Sequence, residues 1–571
     1  MAHITIAVGI FLTLLFLLYI WALPKPIPGI PYNEASAGRL LGDVPNLISD
    51  IKRRGDVFLW FRDQNIQSGS VINQVFTNLL GKPVVIVANA HETRDILVNR
   101  SADFDRTVFV SNLLRPIIGQ GQITFPTGSD WKSRRRLSQD TMSARFLKNV
   151  AAPNIHASCS VFARLWEQKA RLADNRPFNA ELDLFHATLD AVTVFTFGNQ
   201  YPHRAVLPEL KTLAAKSISD IERGAGIDDP VLFPHCKIDK ELENITDFID
   251  RAEVVQSMGF QDLGWYFETS TTRYKVLKKA KDECIRREVA KALERMKDLD
   301  ETTAEEMARH GVDLIVNRER IMATKEKRQP DYFGEAVRGE VFGAIVGGHD
   351  TSSAAMCWTV KLLSKERANQ TALRQALQSA YATALEEHRE PTVDEVLNTP
   401  LPYLDATIEE LFRLCAVVPM NSRQAVRDTE VLGRAIPKGT VVLHLSTGPG
   451  FTMPSYQVDE KLRCSSGKDG TMKSWADDDI GVYRPERWLV YDANGEARCD
   501  PNAGPSNSFG MGLRSCFGKR LAYMTFRLLL VSIIWNFELL ECPEKLSSPL
   551  GKFGVVYKPQ QTYVRLRKVA F

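Results

Sequence analysis

The first 23 residues contain one uncharged apolar run. Residues 4–23, ITIAVGIFLTLLFLLYIWAL, include no Asp, Glu, Lys or Arg. A helix of this length spans about 30 Å, the thickness of the hydrocarbon core of a bilayer. The alternative is a cleaved signal peptide. Such a peptide needs a basic start, a shorter apolar stretch and small residues at the cleavage site, whereas WALPKPIPG follows here. The run therefore predicts a membrane anchor at residues 1–23.

Basic residues flank this run on one side only. No Lys or Arg precedes it, whereas Lys25, Arg39 and the basic segment 52–54 follow it. This asymmetry predicts that the bulk of the chain is cytosolic, with a single membrane pass. Four prolines between residues 24 and 31 indicate a stiff, non-helical spacer. We expect residues 24–60 to form a proline-rich linker and the beginning of a domain that occupies residues 61–571.

The composition is that of an ordinary globular protein, with 44% hydrophobic and 25% charged residues. The 72 basic and 69 acidic side chains nearly cancel, which argues against a nucleic-acid partner. The nine cysteines form no CxxC pair, so we expect free thiols in a reducing compartment.

Helical periodicity dominates the rest of the chain. Apolar residues recur three and four apart in the segments 185–197, 277–296, 335–363 and 403–414. Strand-like runs are few and short, the clearest being 84–87 and 440–445. A polar stretch at 447–483, rich in Gly, Ser and Asp, predicts a surface excursion without chemistry. The fold class that follows is mainly α with a small β-rich lobe.

One cysteine stands in distinctive surroundings. In SNSFGMGLRSCFGKRLAYM, Phe509, Gly512 and Arg514 precede Cys516, and Gly518 follows it. Glycines let the backbone approach a large planar group and direct amides at the sulfur, which stabilises a thiolate, and an arginine can pair with a carboxylate of that group. A sulfur anion presented in this way is a ligand for haem iron. The other eight cysteines are interpreted as small buried hydrophobes.

The segment FGMGLRSCFG resembles the haem-binding signature of the cytochrome P450 family, with every signature position filled. The resemblance covers roughly residues 30–571. It implies the mainly helical P450 fold with a single large catalytic domain and haem b held by the Cys516 thiolate. It also implies that Phe509 and Gly518 contact the haem. An anchored member of this kind is of the microsomal type, in the endoplasmic reticulum membrane.

The family also has a glutamate and an arginine three residues apart on a helix. This chain has that spacing five times, at Glu283 and Arg286, Glu306 and Arg309, Glu335 and Arg338, Glu386 and Arg389, and Glu410 and Arg413. We interpret the first four as solvated ion pairs on helix faces, each contributing about 0.3 kcal/mol. The fifth lies in YLDATIEELFRL, which is closely similar to the family's sequence. Arg487 in YRPERW resembles the third member of the family's Glu-Arg-Arg cluster, so the resemblance implies a structural trio.

The segment GEVFGAIVGGHDTSSAAMCW predicts an unusual helix. Gly347 and Gly348 in mid-helix each cost about 1 kcal/mol relative to alanine. A second membrane span is an alternative, but His349 and Asp350 at its centre argue against it. A core helix with satisfied polar groups is the other alternative. GGHDTS resembles the family's oxygen-activation motif, which implies that Asp350 and Thr351 deliver protons to bound oxygen. We interpret His349 as a hydrogen-bonded helix residue and not as a ligand.

Haem propionates require cations or hydrogen-bond donors. Trp131 and Arg135 in WKSRRRL are spaced like the tryptophan and arginine of the family's propionate-binding helix. Arg514 of the signature and Arg423 in SRQAVRD are further candidates by the same resemblance.

The resemblance implies a monooxygenase that inserts one atom of dioxygen into a lipophilic small molecule. No GxGxxG fingerprint is present, so electrons are expected from NADPH through a P450 reductase, with cytochrome b5 as a second donor. By family topology the pocket walls are the apolar segments 108–123, 342–346, 417–420 and 553–556. The polar excursion is similar to that of fungal members, which favours secondary-metabolite biosynthesis.

Two other classes of function remain open from the sequence. A haem-thiolate isomerase or dehydratase would keep Cys516 but would need neither Thr351 nor a reductase. A non-enzymatic haem sensor would also keep the cysteine, and would respond to ligand without consuming NADPH.

Overall fold

The computed structural model describes residues 2–569 except 79, 235, 465, 467–474 and 476–478. The chain forms two compact units. The smaller unit comprises Met1–Thr107, Val418–Val482 and Asn502–Ser515. The larger unit comprises Val108–Val417, Tyr483–Pro501 and Cys516–Phe571.

Helices account for most of the regular structure. In chain order they are α1 (Ala2–Ala22), α2 (Glu34–Ala37), α3 (Val44–Arg54), α4 (Val57–Ser68), α5 (Ala90–Arg94), α6 (Val108–Ile118), α7 (Ser129–Ser138), α8 (Ala144–Phe146), α9 (Ala152–Ala173), α10 (Glu181–Phe197), α11 (Val206–Ala214), α12 (Lys240–Ser257), α13 (Gln261–Ser270), α14 (Thr272–Arg295), α15 (Glu301–Met307), α16 (Gly311–Glu326), α17 (Glu335–Lys365), α18 (Arg367–Ala380), α19 (Ala382–Glu386), α20 (Val393–Asn398), α21 (Pro402–Leu414) and α22 (Lys519–Asn536).

The strands are short. In chain order they are β1 (Ile72–Val75), β2 (Val84–Val87), β3 (Phe104–Arg106), β4 (Phe178–Asn179), β5 (Glu222–Arg223), β6 (Val231–Leu232), β7 (Met420–Ala425), β8 (Thr429–Val431), β9 (Arg434–Ile436), β10 (Val441–Leu445), β11 (Leu489–Tyr491), β12 (Ala497–Cys499), β13 (Phe537–Leu540), β14 (Gly551–Phe553), β15 (Tyr557–Pro559) and β16 (Tyr563–Lys568). The predicted fold class is confirmed, and the predicted helices and strands match α10, α14, α17, α21, β2 and β10 to within a few residues.

The smaller unit is built on a five-stranded sheet of order β1-β2-β10-β7-β3. All four residues of β2 are buried, as expected for a central strand that reads VVIV. The proline-rich segment is tied to this sheet, because the Gln74 amide donates to the carbonyls of Ile27 and Ile30 and accepts from the Ile27 backbone N–H. Ile27 and Ile30 are themselves buried in the core of the unit. The segment after the anchor is therefore held by the domain and is not a free tether.

Helix α17 lies at the centre of the larger unit and packs along α10. Its apolar residues join those of α6, α12, α14 and α16 in one core cluster. A five-stranded sheet of order β13-β16-β4-β6-β5 completes the unit.

Helix α1 is the one helix among the described residues that is long and apolar enough to cross a membrane, and its side chains from Ile4 onward are almost all exposed. The predicted surface excursion at 447–483 is described only at its two ends and at residues 466 and 475, so the centre of that prediction lies outside the described residues.

Candidate active site

The glycines before the cysteine are required by the backbone. Gly510 and Gly512 have φ of 64° and 67°, a region that favours glycine. A Cβ on Gly512 would lie 2.1 Å from the Leu97 carbonyl oxygen. The turn Gly512–Arg514 that follows is closed by the Ser515 N–H, which donates to the Gly512 carbonyl at 3.1 Å. Arg514 ends this tight turn, and Phe509 precedes it by three residues, in the smaller unit. A substitution at Gly512 would have to displace backbone.

In the larger unit, Cys516 differs from every other cysteine. Its side chain is exposed, whereas the other eight are buried or half-buried. The guanidinium of Arg135, on α7, lies 5.1 Å from the ring centre of Phe517 and 5.5 Å from that of Trp131. Burial lowers the pKa of Arg135, while the nearby Cys516 sulfur opposes this shift. A cation is therefore held close to an accessible thiol, which favours the thiolate.

In the smaller unit, Arg423 is a buried cation without a carboxylate partner among the described residues. It is 8% exposed, and its Nη1 donates to the Ser422 carbonyl at 2.9 Å. Burial, reinforced by Arg106 and opposed by the negative charge of Asp105, lowers the pKa of Arg423 to about 10. His444 on the adjacent strand is fully buried, and neither ring nitrogen has a hydrogen-bond partner within the described structure. Burial, with the positive charge of Arg423, lowers the pKa of His444 to about 3.

Each unit carries groups whose chemistry fits a part of a haem. A buried guanidinium is costly unless an anion pairs with it, and Arg423, with no carboxylate within 4.0 Å among the described residues, is suited to accept a carboxylate such as a propionate. Arg135 likewise has no carboxylate partner in the described part of the chain. The exposed Cys516 sulfur supplies the ligand that a thiolate-bound iron requires. The sequence did not indicate His444, because a single histidine in a strand carries no motif.

The two glycines of α17 do different things. A Cβ on Gly347 would meet nothing within 4 Å, whereas a Cβ on Gly348 would lie 2.6 Å from Val192 Cγ2 of α10. Gly347 therefore leaves open space beside α17, and Gly348 permits the close packing of α17 against α10. Thr351 Oγ1 donates to the Gly347 carbonyl at 2.7 Å. The Thr351 hydroxyl therefore bonds to the backbone of Gly347, the residue beside which α17 leaves open space.

The two residues before Thr351, His349 and Asp350, both interact with groups other than Thr351. His349 is buried, with its Nδ1 2.9 Å from the Ile345 carbonyl oxygen and its ring centre 5.1 Å from that of Phe185. Burial lowers the pKa of His349, so its ring is neutral. Asp350 Oδ1 lies 2.7 Å from Lys558 Nζ. Lys558 was missed by the sequence reasoning, since it lies far from the α17 motif along the chain.

Glu410 is the centre of a fully buried cluster. Its Oε1 accepts from Arg413 Nη2 at 2.8 Å, from Arg487 Nε at 3.2 Å and from the Arg484 backbone N–H at 3.0 Å. Its Oε2 accepts from Arg413 Nε and from Trp488 Nε1, at 2.8 and 2.9 Å. The structure thus brings the three predicted residues together and adds Trp488, which ends the YRPERW string. One carboxylate and two guanidinium groups share this interior site.

The interpretation of the other four Glu and Arg spacings as ion pairs is wrong. Within the described residues, none of these pairs lies within 4.0 Å, and the charged groups that have partners find them elsewhere. Arg389 pairs with Glu387 and Glu395, and Arg338 with Asp282. Spacing alone does not fix pairing on an exposed helix face, where competing partners differ by only a few tenths of a kcal/mol.

Comparison with known proteins identifies the class. The family model for cytochrome P450 matches residues 72–448 and 480–566. The chain belongs to the cytochrome P450 family, as the signature predicted. It is accordingly an oxidoreductase of the haem-thiolate class, a class that draws electrons from NADPH through a reductase.

Curated proteins similar to this chain include fungal monooxygenases. Cytochrome P450 monooxygenase TRI13 of Fusarium sporotrichioides is 35% identical over 97% of each chain. Cytochrome P450 monooxygenase xilC of Penicillium crustosum is 34% identical over 98% of this chain and 95% of its own. Hps1-dma1 cluster cytochrome P450 monooxygenase cyp3.1 of Dothistroma septosporum is 36% identical over 50% of this chain and 96% of its own.

Proposed function

We propose that this protein inserts one oxygen atom of dioxygen into a lipophilic small molecule of secondary metabolism. The proposal that the substrate is lipophilic is supported by one apolar cluster in the larger unit. It includes Leu114 and Ile117 of α6 and Phe342 and Ile345 of α17, and Val555 of the β14–β15 hairpin packs against it. Three of the segments expected to wall the pocket therefore meet in a shared apolar environment. The role in secondary metabolism is supported by fungal relatives, one of which is named for a gene cluster.

We assign the haem contacts residue by residue. The Cys516 thiolate would bind the haem iron, and Phe509 and Gly518 flank Cys516 in the signature. The cations Arg135, Arg423 and Arg514, with the Trp131 indole, hold the propionates. When bound, haem b supplies the reductive activation of dioxygen, and the thiolate favours cleavage of the O–O bond.

Proton delivery belongs to α17. The Thr351 hydroxyl donates to the Gly347 carbonyl, so its oxygen lone pairs remain able to accept a hydrogen bond. We assign proton delivery to Asp350 and Thr351, with Thr351 Oγ1 able to accept a hydrogen bond from a proton donor. A haem-thiolate isomerase would have no use for this arrangement.

We further propose the cellular setting. Residues 1–23 form a single-pass anchor in the endoplasmic reticulum membrane, residues 24–60 are the proline-rich linker and the beginning of the domain, and residues 61–571 are the cytosolic catalytic domain. NADPH-cytochrome P450 reductase and cytochrome b5 are the electron donors.

In the direct test, membranes reconstituted with this protein are incubated with NADPH, reductase, ¹⁸O-labelled dioxygen and a fungal metabolite extract. Mass spectrometry is expected to show a product that has gained one labelled oxygen atom. Product formed without NADPH would favour the isomerase or dehydratase. A spectral response to the extract without any NADPH consumption would favour the sensor.

Thr351→Ala is expected to damage coupling more than oxygen reduction. Without the hydroxyl the proton is misdirected, and reduced oxygen leaves as hydrogen peroxide. Product per NADPH should fall on the order of 10-fold, the low end of a positioned proton-transfer effect, while NADPH consumption persists. Thr359→Ala is the matched control, because Thr359 makes the same hydroxyl-to-carbonyl bond further along α17, at 2.8 Å. An unchanged yield in Thr351→Ala would contradict the proton-delivery role.

Deletion of residues 1–23 is expected to loosen membrane association and to leave haem binding intact. Ile27 and Ile30 remain in the truncated chain, so the core of the smaller unit is preserved. Residual binding is expected through the exposed apolar side chains of α13, including Leu263, Tyr266 and Phe267. Liposome flotation and the haem-to-protein ratio measure the two properties. Loss of haem on truncation would argue against an independent anchor.

A further inference from the structure

A cavity lies where the membrane-length helix α1 meets the sheet of the smaller unit. Its volume is about 460 Å³, within the range of about 300–1,000 Å³ that is typical of small-molecule sites. One wall is the end of α1 with the proline-rich segment, residues 21–28, and the others come from residues 40 and 42, the β1–β2 connection and the β9–β10 turn. All of these segments belong to the smaller unit. The cavity contains none of the residues assigned to the haem or to proton delivery.

The walls of this cavity are held in place by contacts within the chain. The Gln74 amide bonds to the backbone of Ile27 and Ile30, which fixes the proline-rich segment. Asp43 Oδ2 accepts from the Phe76 backbone N–H at 2.8 Å, and the Asp43 N–H donates to the Phe76 carbonyl at 3.0 Å. The wall formed by the β1–β2 connection is thus fastened to the wall that precedes α3. A ligand would enter a preformed site.

The charge of the lining is positive. Lys25 and Lys82 are the charged side chains that line the cavity among the described residues, and both are exposed. Neither forms an ion pair with a carboxylate in the described part of the chain. The Lys82 ammonium donates to the Lys438 carbonyl, which leaves two of its three donors for another acceptor. Two ammonium groups without a counter-ion from the chain favour an anionic ligand.

The rest of the lining is mainly apolar. Trp21, Leu40 and Leu80 line the cavity and are 63%, 43% and 72% exposed. Because the apolar length of α1 ends at Ala22, the cavity begins where the helix leaves the hydrocarbon core. Tryptophan is enriched at this interface, and the Lys25 ammonium lies 5.9 Å from the Trp21 ring centre. Cations and apolar surface therefore lie side by side at the level of lipid headgroups.

This combination fits an amphiphile better than a free anion or a wholly apolar molecule. A free anion would make no use of the exposed side chains of Leu40 and Leu80, and an apolar molecule would leave both ammonium groups unpaired. A phospholipid carries both chemistries, and a phospholipid with net negative charge matches the excess of cations. The cytosolic leaflet, where the proposed topology places the end of α1, contains such lipids.

We propose that this cavity binds one anionic phospholipid of the cytosolic leaflet, with its headgroup at Lys25 and Lys82 and an acyl chain along Trp21, Leu40 and Leu80. The lipid fills the junction between α1 and the β1–β2 connection and holds the smaller unit at the membrane surface. The inference uses the membrane topology proposed above and goes beyond the proposed reaction, because no residue of this site takes part in it.

Native mass spectrometry of the haem-loaded, full-length protein tests the site. The protein is kept in a neutral detergent and titrated with phosphatidylserine or with phosphatidylcholine in mixed micelles. We expect one phosphatidylserine to be retained per chain, and no phosphatidylcholine at the same lipid fraction. Equal retention of the two lipids, or binding of phosphatidylserine without a saturating first molecule, would overturn the proposal.

Variants separate this cavity from general surface charge. The double variant Lys25→Gln, Lys82→Gln should raise the phosphatidylserine fraction needed for half occupancy about 30-fold, from about 5-fold for each lysine. Lys52→Gln is the matched control, because Lys52 is an exposed lysine of α3 in the same unit and does not line the cavity. Leu40→Trp adds bulk to the lining, keeps both lysines and should also weaken retention. Equal losses in Lys52→Gln and in the double variant would overturn the site.

Soluble anions distinguish a lipid site from a site for a free phosphate compound. Inorganic phosphate and glycerophosphoserine, the headgroup without acyl chains, are added at millimolar concentration to the lipid-loaded protein. Neither should displace the lipid, since neither contacts the apolar wall. Displacement by either compound would overturn the lipid assignment and identify a soluble anion as the ligand.

Hydrogen exchange in nanodiscs gives a second readout. Backbone amides of the β1–β2 connection should exchange more slowly in phosphatidylserine than in phosphatidylcholine, and this difference should vanish in the double lysine variant. An equal difference in that variant would overturn the proposal. None of these readouts depends on turnover. A wild-type protein that retains the lipid but forms no oxygenated product would contradict the monooxygenase and leave the lipid site standing, whereas normal product without lipid retention would overturn the lipid site alone.

Discussion

Cys516→Ala is expected to abolish thiolate-bound haem and all oxygenated product. No other cysteine can substitute, because the remaining eight are buried or half-buried and none stands in the signature turn. Arg135 beside Cys516 would be left without the sulfur charge that offsets its burial. The haem-to-protein ratio of the purified variant and its product yield measure the effect. Losses of at least two orders of magnitude in product are expected, since the thiolate drives the O–O bond cleavage on which the reaction depends.

Cys236→Ala is the matched control, because Cys236 is a partly exposed cysteine outside the signature. It should keep both haem and activity. A Cys516→Ala protein that retains a thiolate spectrum would place the iron ligand at another cysteine.

Glu410→Gln is expected to destabilise the larger unit by about 3 to 5 kcal/mol, the cost of breaking a buried ion pair from one side. The amide keeps the shape of the side chain but leaves the guanidinium groups of Arg413 and Arg487 without their shared anion. Both arginine side chains are at most 1% exposed, so water cannot replace it. Urea unfolding followed by tryptophan fluorescence measures the loss, and Trp488, which donates to Glu410, reports locally.

Arg286→Ala is the control for this variant. Arg286 has the same spacing from a glutamate but is exposed on α14 and lies farther than 4.0 Å from Glu283. Its free energy of unfolding should change by no more than a few tenths of a kcal/mol. Equal shifts for the two variants would show that the Glu410 cluster does not stabilise the fold.

Periodicity and local chemistry predicted the helices α10, α14, α17 and α21 and the strands β2 and β10, because each is a long or strongly apolar segment whose own residues determine its conformation. The Glu410 trio was also predictable, since two short strings carry its members. The other four Glu and Arg spacings gave wrong predictions of ion pairs, because on an exposed helix face the spacing alone does not determine which charged groups pair.

What the sequence could not predict depends on contacts distant along the chain. The need for glycine at position 348 comes from the close contact with Val192 of α10. The ion-pair partner of Asp350 is Lys558 of the β14–β15 hairpin. The buried His444 likewise has no signal in its own strand. Each requires the tertiary arrangement that brings two segments together, and periodicity reports only one segment at a time.

The most direct test of the account is the absorption spectrum of the reduced wild-type protein with carbon monoxide. If Cys516 binds the iron as a thiolate, the main band should lie at the position specific to thiolate-ligated haem, and it should be missing in Cys516→Ala. A wild-type band at the position of histidine-ligated haem would contradict the assignment of Cys516 and the haem-thiolate chemistry built on it.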